Sequence, residues 1–391
     1  MEAINRHLEN TVKRDLQEEA GVVLLGPRQI GKTTLAQNIA EQTGAVYLDL
    51  ESPKGRQRLR DPEAFFESQQ GNLVVLDEVQ TVPELFATLR GVIDTNRRSG
   101  FETGQLLLLG SASEKLLRQS SESLAGRVSY LELSGINVLE LDGRHSINDI
   151  WLRGGYPRSL LKKTDAESFR VRQNLHKSVI ERDIPQIAGN LKGEGLHRFW
   201  RMLASMQGET FNASKVANSF GASGPTATRY LDIFHDLMLV RRLSPWFSNS
   251  KKRLVKSPKT YVRDSGLLHY LLGIQSLYDL QGHHIFGHSW EGFVIEQISQ
   301  VLGNGWEMFF YRSAGGAEID LILEGRDQRW ALEIKASKTP SVRDGFYSAC
   351  EDIKPTHKIV VHAGDDDFPY GQGIKALSLT SVLERVKQET A

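Results

Sequence analysis

The segment Gly26-Pro27-Arg28-Gln29-Ile30-Gly31-Lys32-Thr33, with Thr34 behind it, sets four residues between two glycines and closes on a lysine and a hydroxyl. Glycines let backbone N–H groups approach anionic oxygens, a following helix adds partial positive charge, and the lysine adds a full one. The G-x-x-x-x-G-K-[ST] spacing therefore suits the phosphates of ATP. In that reading Gly26 to Thr34 bind the nucleotide, Lys32 reaches its β- and γ-phosphates and Thr33 ligates Mg²⁺. Further on, Asp77 and Glu78 close the apolar run 73–76. Asp77 suits an outer-sphere contact to Mg²⁺, and Glu78 is placed to polarise the water that attacks the γ-phosphate. Ser111 ends the leucine run 106–109 and is the candidate γ-phosphate sensor.

A second constellation lies in the last third. Asp320 in EIDLILEG and Glu333 in WALEIKA interrupt apolar strand patterns, where a charge needs a reason. Alternation puts Glu333 and Lys335 on one face of their strand and Ile334 on the other. Upstream, Glu291 shares a helical stripe with Val294, Ile295, Ile298 and Leu302, whereas Glu296 falls off that stripe and reads as solvated. Glu291, Asp320 and Glu333 are thus candidate ligands of Mg²⁺ or Mn²⁺, with Lys335 positioning the nucleophile, which is the chemistry of phosphodiester hydrolysis.

A third feature is electrostatic. The 74 residues from 190 to 263 carry 13 Lys and Arg against 4 Asp and Glu. Thr226, Thr228 and Arg229 open a helix, and Lys251, Lys252, Arg253, Lys256 and Lys259 crowd a loop behind it. Such a patch neutralises nucleic-acid phosphates, so these eight residues are candidate DNA contacts.

The elements that must position these groups are readable from pattern. From Gly21 to Leu133, GVVLLG, AVYLDL, NLVVLDE, QLLLLGS and RVSYLEL alternate with helical stretches, as in a parallel sheet buried on both faces. The stretch 149–189 reads as helix. KVANSF, the turn GASGP and TATRYLDIFHDLMLV then give helix, turn and helix, followed by strand patterns in the order of a winged helix. After Gly282 comes an αβββαβ order ending at KIVVHAG.

Composition narrows the classes. The 391 residues are 40% hydrophobic and 25% charged, with zero formal net charge and a mean hydropathy of −0.34, which excludes disordered and fibrous chains. The lone Cys350 excludes cysteine-cluster metal sites and fits a reducing compartment. The charged N-terminus and the lack of any long apolar run point to a cytoplasmic protein with no membrane partner.

GPRQIGKTTL, LVVLDEVQ, LLLLGSAS and SLAGRVSYLEL resemble the core of a bacterial and archaeal family of AAA-type ATPases with a C-terminal domain of largely unassigned function. GGYPRSL, ERDI, FGHSWEGFVIEQI and the late EID…EIK extend the resemblance over nearly the whole chain. It implies that Arg127 in LAGR acts in trans on a neighbouring subunit, hence a homo-oligomer, with a hexamer as one such assembly. Arg158 and Arg182 become nucleotide-sensing candidates. The C-terminal unit resembles nucleases of the PD-(D/E)xK class, with Ile319 where that class has proline.

The expected architecture is α/β. It comprises an AAA-type P-loop ATPase domain (1–148), a helical lid (149–190), a winged helix (191–280) and a restriction-endonuclease-like domain (281–391). The expected function is ATP-dependent processing of structured or branched DNA, with metal-dependent cutting. A nucleotide-switched binding or assembly module, and a DNA translocase or remodeller that does not cut, stay open.

Overall fold

The computed structural model describes residues 4–111, 124–185, 193–247 and 255–390. The chain divides into two compact units, Met1–Ile136 with Asp236–Met238, and Asn137–His235 with Leu239–Ala391.

The first unit is built on a five-stranded sheet in the order β2-β3-β4-β1-β5, all pairs parallel: β1 (Gly21–Leu25), β2 (Val46–Asp49), β3 (Val74–Asp77), β4 (Leu106–Gly110) and β5 (Val128–Glu132). The three inner strands are buried at every residue, whereas edge strands β2 and β5 are partly exposed, which is why the former read as unbroken apolar runs. Helices Leu8–Glu18, Lys32–Thr43, Pro53–Arg58, Pro62–Ser68 and Leu85–Arg98 complete the layers. Val23, Leu25, Leu76 and Leu108 from the sheet pack with Phe86, Leu89 and Ile93 of the last of these helices. Because β4 lies between β1 and β3, the strand ends leading to Gly26, Asp77 and Ser111 are neighbours at the C-terminal end of the sheet.

The second unit begins at Asn137 rather than near 149. Asn137 Nδ2 donates to the Gln297 carbonyl at 3.1 Å, and Val138 N donates to Gln297 Oε1 at 2.7 Å, which fastens this segment to the helix Phe286–Ser299. The region expected to be a lid is helical, with Ile147–Arg153, Pro157–Leu160 and Asp165–Ser178 followed by one π-helical turn, Val179–Asp183. Helices Gly193–Ser205, Ala213–Phe220 and Gly224–Asp236 come next, and then the antiparallel pair β6 (Val240–Pro245) and β7 (Lys259–Val262).

The pair β6/β7 does not stand apart from the later strands. β8 (Glu307–Arg312), β9 (Glu318–Gly325), β10 (Gln328–Lys335), β11 (His357–His362), β12 (Phe368–Gly371) and β13 (Ile374–Ser378) join it in one eight-stranded sheet, ordered β12-β13-β11-β10-β9-β8-β6-β7. Ser244 and Pro245 pair in parallel with Phe309 and Phe310, so no break falls at 280. An unpaired edge on β8 would expose backbone donors and acceptors, and β6 covers it. The expected αβββαβ order is present in Phe286–Ser299, β8 to β10, Asp344–Ile353 and β11, and it is extended by β12, β13 and the helix Leu379–Thr390.

Candidate functional site

The loop after β1 runs into the helix Lys32–Thr43 through two left-handed residues, Gln29 (φ 64°) and Gly31 (φ 108°). At Gly26 a Cβ would lie 2.3 Å from the Leu133 carbonyl oxygen, so only glycine lets the loop close there. Lys32 is 5% exposed, and its ammonium donates to the carbonyls of Gly26 at 2.8 Å and Pro27 at 3.0 Å. A buried ammonium at the start of a helix, next to the turn of a glycine loop, is suited to an anionic ligand. Arg28 is ion-paired to Glu51 at 2.5 Å.

Asp77, at the end of β3, is buried and accepts from Thr33 Oγ1 at 2.7 Å and from Tyr47 Oη at 2.5 Å. Burial, and next the Asp77 carboxylate, push the Tyr47 phenol far above its ordinary range, so it stays a donor. Glu78 adopts a left-handed backbone (φ 56°), and its N–H donates to Asp77 Oδ1 at 2.9 Å. Gln80 Nε2 donates to Glu78 Oε2 and, at 3.0 Å, to Ser111 Oγ, joining the ends of β3 and β4. Gln80 Oε1 is buried without a hydrogen-bond partner among the described residues. The sequence reading missed Tyr47 and Gln80. Their signals were a tyrosine on the neighbouring strand and an amide two residues beyond Glu78.

These residues fit Mg²⁺-ATP. The loop 26–31, Lys32 and Thr34 would hold the phosphates, and Thr33 with Asp77 would hold the metal, which would neutralise charge on the β- and γ-phosphates. Arg127 makes a bidentate pair with Asp94 of its own chain, at 2.8 and 2.9 Å. Arg158 and Arg182 are exposed residues of the second unit.

In the second unit Glu291, Asp320, Glu333 and Lys335 do converge, but not around space for a metal. Lys259, read from sequence as an exposed DNA contact, is 2% exposed. Its ammonium lies 3.0 Å from Glu291 Oε1, 3.2 Å from Glu318 Oε1 and 3.9 Å from Asp320 Oδ1. Alternation explains the gathering: Lys259 and Tyr261, Glu318 and Asp320, and Glu333 and Lys335 are each two residues apart on β7, β9 and β10. Tyr261 Oη donates to Glu291 Oε1 at 2.6 Å, and His288 Nδ1 lies 3.1 Å from Glu291 Oε2. Ile334 N donates to Asp320 Oδ2 at 2.9 Å, and Lys335 Nζ to Glu333 Oε1 at 2.5 Å.

Burial alone would raise the Glu291 carboxyl, but Lys259, His288 and Tyr261 hold it down to about 2. Burial, then the Glu333 and Glu291 carboxylates, push Asp320 well above the ordinary range; burial raises Glu333 against the pull of Lys335. Burial opposes the charge on Lys259, yet Glu291, Asp320 and Glu318 outweigh it and raise its pKa. A divalent ion would need oxygens already held by two ammonium groups, a phenol, an imidazole and a backbone N–H. The expected Mg²⁺ or Mn²⁺ ligation by Glu291, Asp320 and Glu333 does not fit this arrangement. Among the described residues, no three His, Cys, Asp or Glu side chains are grouped to hold a metal ion.

Two other expectations change. Glu296 is buried, not solvated: Arg241 donates to its Oε2 at 3.0 and 2.8 Å, and Arg263 to its Oε1 at 3.0 and 2.7 Å. Sheet strands cover the face of its helix that spacing had assigned to solvent. Of the candidate DNA contacts, Thr228, Arg229 and Lys256 are exposed and Thr226 is half-buried, while Lys251, Lys252 and Arg253 lie outside the described residues. No described helix is long and apolar enough to cross a membrane.

Comparison with known proteins divides the chain in a similar way. The sequence profile of an AAA domain matches residues 18–141, and two domains of unknown function match 144–278 (DUF8612) and 286–382 (DUF4143). The uncharacterized proteins Rv2008c of Mycobacterium tuberculosis and Mb2031c of Mycobacterium bovis are each 37% identical over 372 residues, which span 95% of this chain and 83% of theirs. Among solved structures, a Walker-type ATPase of Pyrococcus abyssi is similar at 14% identity with a TM-score of 0.46, over 69% of this chain and 96% of that one. A RuvB variant of Thermotoga maritima is similar at 19% identity with a TM-score of 0.30, over 61% and 90%. With a parallel-sheet P-loop site in its first unit and relatives that match along nearly its whole length, the chain belongs to the family of AAA-domain P-loop ATPases represented by the two mycobacterial proteins.

Proposed function

We propose that this protein hydrolyses ATP in its first unit and uses the nucleotide cycle to act on DNA held by its second, without cutting it. The observation that carries the reading is the assembly of Lys32, Thr33, Asp77 and Glu78 at the ends of β1 and β3, where phosphate binding, metal binding and water activation have separate groups. Glu78 takes the proton of the attacking water, and Gln80, bonded to Ser111, holds it in register with the end of β4. Cutting is left out because every carboxylate of the second cluster already has its counter-charge or donor.

The DNA part rests on order and exposure. Helix Gly193–Ser205, a bridge from Thr210 to Lys259, helices Ala213–Phe220 and Gly224–Asp236, and then β6 and β7 follow the winged-helix order. Lys215, Thr228 and Arg229 are exposed on the helix pair and Lys256 precedes β7. Fluorescence anisotropy with a labelled duplex or forked oligonucleotide tests this. Arg229→Ala with Lys256→Ala is expected to weaken binding about tenfold and to flatten its dependence on salt. Binding that ignores both the substitutions and the salt concentration would remove DNA from the reading.

The active assembly is a homo-oligomer in which Arg127 exchanges Asp94 for the nucleotide of the adjoining subunit; the pair is 27% and 38% exposed, open enough to part. Arg127→Ala and Lys32→Ala proteins, each inactive alone, are expected to recover measurable ATP turnover on mixing. A mixture as silent as its components would confine Arg127 to a structural pair.

A further inference from the structure

We propose that the Lys259 ammonium is the resident cation of the carboxylate cluster, standing where a divalent metal would otherwise be held, so that this centre of the second unit is metal-independent. The side chain is supplied by β7, a strand outside the β8–β11 core, and it reaches the cluster only because β6 and β7 extend the same sheet. It lies within 4 Å of Glu291, Glu318 and Asp320 at once, which spreads one positive charge over three carboxylates from a helix and a strand. Lys335 serves Glu333 in the same way from within β10.

The cluster is also covered on its Glu291 side. The turn at Met206–Gly208 lies against β7, with Gly208 N donating to the Thr260 carbonyl at 2.9 Å and Gln207 bonded to both the N–H and the carbonyl of Val262. A Cβ at Gly208 would sit 2.9 Å from His288 Nδ1 and 3.4 Å from Glu291 Oε2, so the turn is pressed onto the cluster. A metal entering here would have to displace a buried ammonium that cannot leave its strand. Tethering gives that ammonium a high effective concentration, which a freely diffusing ion at millimolar levels does not match.

The test is Mn²⁺ binding to the nucleotide-free full-length protein, followed by electron paramagnetic resonance and by thermal melting. Wild type is expected to take up no Mn²⁺ at this cluster up to about 1 mM and to show no metal-dependent shift in Tm. Lys259→Met is expected to acquire one Mn²⁺ site, lost again in Lys259→Met with Asp320→Asn, and to melt several degrees higher with Mn²⁺ than without. If wild type binds one Mn²⁺ that Asp320→Asn or Glu333→Gln removes, the proposal is overturned. A folded Lys259→Met that binds none would overturn it too. Should Lys259→Met fail to fold, the wild-type and Asp320→Asn measurements decide the matter alone.

Discussion

Lys32→Ala is expected to lower ATP turnover at least a hundredfold and to weaken nucleotide binding, while leaving the circular dichroism spectrum of the protein unchanged. The side chain is the buried positive charge at the end of the loop, its ammonium donating to the carbonyls of Gly26 and Pro27, whereas Arg28 is paired with Glu51. Removing a preorganised electrostatic donor from a phosphoryl-transfer site typically costs a factor of about 10²–10³ in rate. Lys32→Arg is no rescue, since a planar guanidinium has neither the shape nor the point charge that the loop encloses. Glu78→Gln separates binding from chemistry. It keeps the backbone turn and the contact with Gln80 but loses the base, so fluorescent ATP analogues bind as before while turnover falls by a factor of about 10²–10⁴. Release of inorganic phosphate and equilibrium nucleotide binding, measured side by side, check both. Equal loss of binding in the two variants would mean that Glu78 is part of the phosphate cradle and not a base.

Glu296→Ala is expected to destabilise the second unit by about 3 kcal/mol, because it removes the carboxylate that two largely buried guanidinium groups share. The Glu296 side chain is 10% exposed and those of Arg241 and Arg263 are 20% and 11% exposed, so solvent screens little of the imbalance. The three residues lie on the helix Phe286–Ser299, on β6 and just past β7, so the loss loosens the junction of that helix with the two strands. Urea unfolding followed by tryptophan fluorescence reads the change as a lower midpoint. Glu296→Gln retains the shape and part of the hydrogen bonding and falls between wild type and Glu296→Ala. A midpoint within experimental error of wild type would show the arginines to be adequately solvated, contrary to their burial.

The nucleotide site was almost wholly legible from sequence because its chemistry is local. Gly26 to Thr33 form one loop and helix start, and the Val/Leu runs around Asp77 and Ser111 announce inner strands whose ends must meet once the sheet is parallel. Tyr47 and Gln80 were harder to see, since a hydrogen bond across strands leaves no spacing rule. Alternation likewise put Glu333 with Lys335, and helical spacing turned Glu291 inward. Helical spacing failed at Glu296 because it shows which side of a helix is most apolar, not whether the other side meets solvent or a sheet bearing two arginines.

Lys259 marks the same boundary most sharply. Its charge and its basic neighbours read as a solvent-facing patch, and nothing along the chain relates it to residues 291, 318 and 320. The pairing of β6 with β8 does so, by carrying β7 and its lysine into the sheet that holds the carboxylates. Residue type and local period were enough for an ATP site and for the inward turn of the acidic side chains. Which cation those acids meet depends on long-range strand pairing, because a buried charge is neutralised by whatever the fold brings within a few ångströms, however far away it lies in the chain.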